Sequence, residues 1–193
     1  LIFEAVLVCN PVMHHLVLGI DPVELTRALI RCRSVTPADD GARLLLIDGH
    51  SMAFRAFFAL TVDNFSTTGG QTTNAVYGFT AMLINILRDE SPTHIAAAFD
   101  VSRKTFRSEM YPEYKAQREA SPPEFKGQVP IIEEVLGELG IVTLSKENYE
   151  ADDIVATLVT EARAGGDFEI VLVSGDRDYI QLVDGTTTLL YPT

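Results

Sequence analysis

Four short apolar runs govern what this chain can become: "RLLLID" (43–48), "THIAAAFD" (93–100), "IVTLS" (141–145) and "FEIVLVS" (168–174). A strand with one wet face alternates apolar and polar residues, whereas a strand covered on both faces can be apolar throughout. Between the runs lie segments of helical spacing. "SMAFRAFFAL" (51–60) is one. "NAVYGFTAMLINILRDE" places Ala75, Val76, Phe79, Met82, Leu83, Ile86 and Leu87 on one face until Ser91–Pro92 stops it. "PIIEEVLGELG" has Pro130 suited to a first helical turn and Gly140 past its end. A further helix after "EADD" carries Ile154, Val155, Leu158, Val159 and Ala162 on one side, "DRDYIQLV" reads as a short helix, and "TTTLLY" (186–191) as a fifth strand. Loops fill the rest: "TTGGQTTN" (67–74), and residues 101–127, which show no clear periodicity. Strand–helix alternation of this kind predicts an α/β fold, with a mostly parallel central sheet and helices on both faces.

The 193 residues suit one domain with an appendage. Residues 43–193 form the expected core. Residues 1–42 stand apart, with a weak helix at "PVELTRALIRC" and a linker at "TPADDGA"; they read as an extension or linker that is poorly ordered. Glu4, Asn10, Pro11 and His14–His15 interrupt the apolar start, so no bilayer span and no membrane contact are expected. Cys9 and Cys32 fit neither a zinc spacing nor a disulfide framework, which agrees with a reducing cytoplasm. The adjacent His14 and His15 face opposite ways on an extended chain and make a poor ligand pair. Beginning at Leu1 and ending straight after a strand-like run, the sequence reads as a fragment.

Acidic residues follow the strands. Asp48 closes the first and Asp100 the second; Glu150, Asp152 and Asp153 ("EADD") follow the third, and Asp176 and Asp178 ("SGDRD") the fourth. In an open α/β sheet the functional edge lies at the carboxyl ends of the strands, so all seven groups are expected at one edge. Each alone has an ordinary explanation, as a turn residue or a helix cap. Together, without basic residues beside them, they would raise one another's pKa. A hard divalent cation, Mg²⁺ or Mn²⁺, is the natural partner of such all-oxygen ligands. Asp153 is the least secure member, because on an ideal helix it points nearly opposite the apolar face.

The net charge is −12, which repels nucleic acid unless a local surface reverses it. Residues 103–118, "RKTFRSEMYPEYKAQR", do so: Arg103, Lys104, Arg107, Lys115 and Arg118 face only Glu109 and Glu113, a local charge of +3. Phe106, Tyr111 and Tyr114 are interleaved. Cations for phosphates and aromatic faces for bases compose a single-strand binding surface; a solvated loop with its aromatics folded inward would look the same in isolation. Leaving directly from Asp100, the segment must hang over the acidic edge, which points to phosphodiester hydrolysis.

"LLLIDGHSMAFRAFFAL", "AAAFDVSRKTFRSEMYPEYKAQR", "YEADDIVATL" and "VSGDRDYIQLV" together resemble the 5′-nuclease domains of bacterial DNA polymerases I, within the PIN-like flap-endonuclease superfamily. The resemblance runs in order from about residue 43 to 193. It implies a structure-specific 5′→3′ exonuclease and flap endonuclease of DNA replication and repair. It also implies a two-metal site held by Asp48, Asp100, Glu150, Asp152, Asp153, Asp176 and Asp178. Lys115 and Arg118 would be catalytic, reaching the scissile phosphate from an arch. Arg55, Arg103, Lys104, Arg107 and Tyr114 would contact DNA bearing a 5′ flap or 5′ end. The expected protein is a monomer, with a polymerase domain in a full-length chain. Such domains continue with another acidic pair and a helix–hairpin–helix element, so the second metal site is expected to be incomplete here.

Two other readings fit less well. A haloacid-dehalogenase-like phosphohydrolase needs a second Asp two positions after the first, where this chain has His50. A truncated, non-catalytic DNA- or metal-binding remnant would bind without cutting. His50 and His94 read as structural, and Gly69–Gly70 as a loop, since no P-loop lysine follows.

Overall fold

The computed structural model describes residues 41–117 and 120–192, and in it the apolar runs become strands of one sheet. Strands β1 (Ala42–Asp48), β2 (His94–Phe99), β3 (Val142–Ser145), β4 (Phe168–Val173) and β5 (Thr187–Leu190) lie in the order β3-β2-β1-β4-β5. Every pairing is parallel. This is the α/β architecture that the alternation predicts. The expected extension through residue 40, with its weak helix, lies outside the described residues, as does Arg118.

Pleating divides each strand between two cores. Leu44 and Leu46 join Ile170 and Leu172 against α6 (Ala151–Gly165). Leu45 and Ile47, with Val171 and Val173, pack beneath α1 (Gly49–Ala59), α2 (Asn74–Glu90) and α5 (Val129–Glu138). Both faces are dry, so β1 needs no polar residue between Leu44 and Ile47; each such side chain contributes about 1.5–3 kcal/mol.

Helix α1 begins two residues earlier than its apolar pattern suggests, because Asp48 caps it: the carboxylate accepts the Ser51 amide at 3.0 Å. Glycine is needed next, since a Cβ at Gly49 would stand 2.3 Å from the Phe99 ring. The start of α2 is held from far along the chain. Gln128 Oε1 accepts the amides of Ala75 and Val76 at 2.7 and 3.2 Å, and its Nε2 donates to Asn74 Oδ1 at 2.8 Å. Between residues 101 and 127 the chain forms two short helices, α3 (Phe106–Met110) and α4 (Pro123–Lys126), which are too brief to show a period. "DRDYIQLV" is a 3₁₀ segment, Arg177–Leu182.

The chain runs outward from β1 through β2 to β3, then returns to the other side of β1 to lay down β4 and β5. The β1/β4 boundary is therefore the switch point of the sheet, where open α/β folds place their ligand crevice. Among the described residues, no helix is long and apolar enough to cross a membrane.

Candidate functional site

Side chains tie the two switch-point strands together at their carboxyl ends. Ser174, just past β4, donates its hydroxyl to Asp48 Oδ2 at 2.9 Å, and the Gly175 amide donates to Ser51 Oγ at 2.9 Å. Asp48 is 8% exposed. Burial pushes its carboxyl up to about 6; the bonds from Ser51 and Ser174 pull the other way, and the Asp100 charge adds to the rise.

Asp100 follows β2 and accepts the Ala151 amide on Oδ1 at 2.6 Å, which fastens the end of that strand to the first turn of α6. Its own amide donates to His50 Nδ1 at 3.1 Å, and His50 Nδ1 stands 3.9 Å from Asp100 Oδ2. The imidazole packs edge-on against Phe99 and Phe125. His50 is thus part of the wall around Asp100, a placement that "DGH" alone does not disclose.

The "EADD" stretch opens α6, with Glu150 as the N-cap. Its amide donates to Asp153 Oδ2 at 3.0 Å, one half of a capping box. Here the structure corrects two expectations. Basic residues do sit beside the carboxylates, because the 103–117 strap folds across the edge. Arg107 forks onto both oxygens of Asp153 and lies 3.8 Å from Glu150 Oε2. Lys115 Nζ donates to Glu150 Oε2 at 2.8 Å, joined by the Tyr114 hydroxyl at 3.3 Å. Burial opposes both charges, yet the bonds to Asp153 and Glu150 outweigh it and raise the Arg107 and Lys115 pKa values. The second correction concerns Asp153, which is completely buried rather than facing outward. In the first turn of α6 the strap covers what would otherwise be the solvent side.

Asp152 is in the opposite condition. Its Oδ1 is buried without a hydrogen-bond partner. Burial and the neighbouring Asp153 charge push its carboxyl up to about 7, although Arg107 pulls it down. It lines a cavity of about 400 Å³ together with Arg107, Tyr114, Asp178 and Tyr179. Tyr179 is a site residue that the sequence reading missed. Its ring is 2% exposed, its hydroxyl makes no well-formed hydrogen bond although it lies near Asp48, and burial with the charges of Asp48 and Asp152 holds its pKa well above the usual value. Asp176 caps the 3₁₀ segment by accepting the Asp178 amide at 3.0 Å, while Asp178 is exposed on the cavity rim.

The fold therefore carries all seven carboxylates to one edge. It also divides them: the strap bonds Glu150 and Asp153, while Arg107 reaches Asp152 through its charge alone and His50 stands beside Asp100. As the side chains stand, no three His, Cys, Asp or Glu groups among the described residues converge to hold one metal ion. The donor chemistry nonetheless fits a hard cation: the groups are all oxygens, Asp48 is buried among them, and one buried oxygen of Asp152 is orphaned.

The strap is rooted at the same place. The Phe106 amide donates to the Asn148 carbonyl at 3.0 Å, and the Phe106 ring packs 5.5 Å from that of Tyr149. Arg103 and Lys104 lie exposed at its start, whereas Met110 and Tyr111 present 73% and 58% of their surface to solvent farther on. Arg55 projects from α1 beside the "SGD" turn, with Nη1 3.9 Å from where a Cβ of Gly175 would stand.

Known proteins give this geometry a family. The model of the 5′-3′ exonuclease N-terminal resolvase-like domain matches residues 43–193. DNA polymerase I of Mycobacterium tuberculosis (strain ATCC 25618 / H37Rv) is 61% identical over 158 residues, covering 81% of this chain and 17% of the relative. DNA polymerase I of Lactococcus lactis subsp. cremoris is 48% identical over 152 residues, covering 77% of this chain and 17% of the relative. The chain thus spans about a sixth of the length of the curated relatives it matches. Among solved structures, the T5 D15 protein co-crystallised with metal ions superposes with a TM-score of 0.60 at 21% identity, covering 76% of this chain and 54% of that one. The bacteriophage T5 flap endonuclease in a pseudo-enzyme-product complex with DNA and metal ions gives 0.53 at 19% identity, with the same coverage. Sheet order, the site at the switch point and these matches agree: the chain belongs to the 5′-3′ exonuclease family, in its N-terminal resolvase-like domain.

Proposed function

We propose that this chain is the catalytic core of a divalent-metal-dependent nuclease that hydrolyses DNA phosphodiester bonds from a 5′ end or at a 5′ flap. The observation that carries this reading is the set of carboxylates gathered at one edge, Asp48 and Asp152 foremost, whose burial raises their pKa values beneath a basic strap that hydrogen-bonds Glu150 and Asp153 instead. Asp48, Asp100 and Asp152 would hold Mg²⁺ or Mn²⁺, with Glu150, Asp176 and Asp178 at the rim. When bound, a pair of such ions supplies Lewis acidity toward the phosphodiester and acidifies water.

The protein's own part is to bind, orient and compensate charge. Lys115, which bonds Glu150 in the metal-free protein, would offset charge developing on the phosphoryl oxygens; Arg118 is assigned the same task by its place in the strap sequence. Arg55, Arg103, Lys104 and Tyr114 line the approach for a single strand, whose phosphates would meet cations on an otherwise acidic protein. A monomer acting beside a polymerase domain in a full-length chain completes the reading.

Cleavage of an end-labelled 5′-flap duplex with Mg²⁺ or Mn²⁺ tests it, comparing the chain with Asp100→Ala. Cutting near the flap junction that the substitution abolishes is expected. Cutting that survives in Asp100→Ala, or DNA binding without any cutting, would overturn it; the second result would mark a binding remnant.

A further inference from the structure

Adjacent carboxylates in one helical turn meet opposite fates here, and the contrast assigns a role to the Arg107–Asp153 pair. Asp153 has three of its roughly four acceptor positions taken and a guanidinium already seated on it. Its Oδ1 accepts from Arg107 Nη2, and its Oδ2 accepts both from Arg107 Nη1 and from the Glu150 amide. The side chains of the pair are 0% and 10% exposed. Asp152 next to it keeps a buried oxygen with no partner. Around the pair, two further contacts join the strap root to the start of α6. Thr105 bridges Asn148, with the Phe106 amide donating to the Asn148 carbonyl at 3.0 Å, and the Phe106 ring, with the Arg107 guanidinium 4.9 Å from its centroid, lies against Tyr149. A two-pronged guanidinium–carboxylate pair fixes direction as well as distance.

We propose that Arg107 and Asp153 are positioning residues, neither a DNA contact nor a metal ligand. They clamp the root of the strap to the first turn of α6, so that Tyr114 and Lys115 stand over Glu150. The proposal rests on the nuclease reading for its purpose, but the clamp itself is a property of the metal-free protein.

Hydrogen exchange of the metal-free chain tests the clamp directly. Asp153→Asn should speed exchange of the amides in 106–111 at least tenfold, leaving β1 and β4 protected. Arg107→Lys, which keeps the charge and loses the fork, should do the same; a lysine variant with a fully protected strap would overturn the proposal. Should Asp153→Asn fail to fold, the double variant Arg107→Gln/Asp153→Asn leaves no orphaned charge and is read in the same way. Mn²⁺ titration calorimetry separates the two carboxylates: affinity should hold within about threefold in Asp153→Asn and fall more than tenfold in Asp152→Asn, by loss of a charged ligand. Equal losses would return Asp153 to the metal site and overturn the proposal. If the unsubstituted chain takes up no Mn²⁺ at all, the nuclease reading fails while hydrogen exchange still decides the clamp.

Discussion

Replacing Asp152 with asparagine should make the metal-free protein more stable. In the folded chain this carboxyl is raised from 3.8 to about 7. Above pH 7 the folded state therefore holds a charge that the unfolded state accommodates more cheaply, a cost of about 4 kcal/mol. Asparagine removes the charge but keeps an amide to desolvate, which returns about 1–3 kcal/mol of that cost. The net gain is about 1–3 kcal/mol, and in a domain of this size each kcal/mol moves Tm by about 2–4 °C. The sign follows from linkage. A group with a raised folded pKa favours folding below its unfolded pKa, and that contribution is lost as pH rises through the folded pKa. The advantage of Asp152→Asn should thus be full near pH 8 and shrink toward pH 4. Thermal unfolding in EDTA across that range measures it, and Mg²⁺ should then raise the Tm of the unsubstituted chain more than that of the variant. An Asp152→Asn protein no more stable at pH 8, or equally stabilised at pH 4 and pH 8, would refute the reasoning.

Other perturbations follow from single contacts. Tyr179→Phe removes a buried hydroxyl that makes no well-formed hydrogen bond, so urea unfolding should show unchanged or higher stability; a loss above about 1 kcal/mol would reveal a bonded hydroxyl. Gln128→Ala strands the buried amide of Ala75 and the part-buried amide of Val76 and should cost about 2–4 kcal/mol in the same assay, at about 1–3 per group with partial solvation. Gly49→Ala drives a methyl into the Phe99 ring, with an expected loss of about 1–3 kcal/mol; Phe99→Leu in the same chain should return part of it.

The sheet was legible because strands covered on both faces leave short, unbroken apolar runs: "LLLI" and "IVLV", bounded by turn residues, are too brief for buried helices. The acidic edge was legible for a related reason. In a parallel sheet every strand delivers its next residue to the same side, so Asp48, Asp100 and the "SGDRD" turn had to share an edge. What each carboxylate faces was not legible. The difference between Asp152 and Asp153 is made by Arg107, 46 positions earlier, on a strap whose helices are too short to show a period. Gln128 capping α2 from 53 residues away is likewise invisible to any local window. Tyr179 escaped notice, and His50, read as structural, could not be placed beside Asp100, because their positions depend on the packing of Phe99 and of the 3₁₀ segment, not on spacing.

The hydrogen bond from Ser174 to Asp48 spans 126 positions, and β1 is central only once β4 has docked beside it. A ribosome adding about 5–20 residues per second needs about 6–25 seconds to travel from one to the other. Throughout that interval the nascent chain carries Asp48 with one flank of β1 open. Competence for this edge arrives late and all at once, when the fourth strand emerges and closes it.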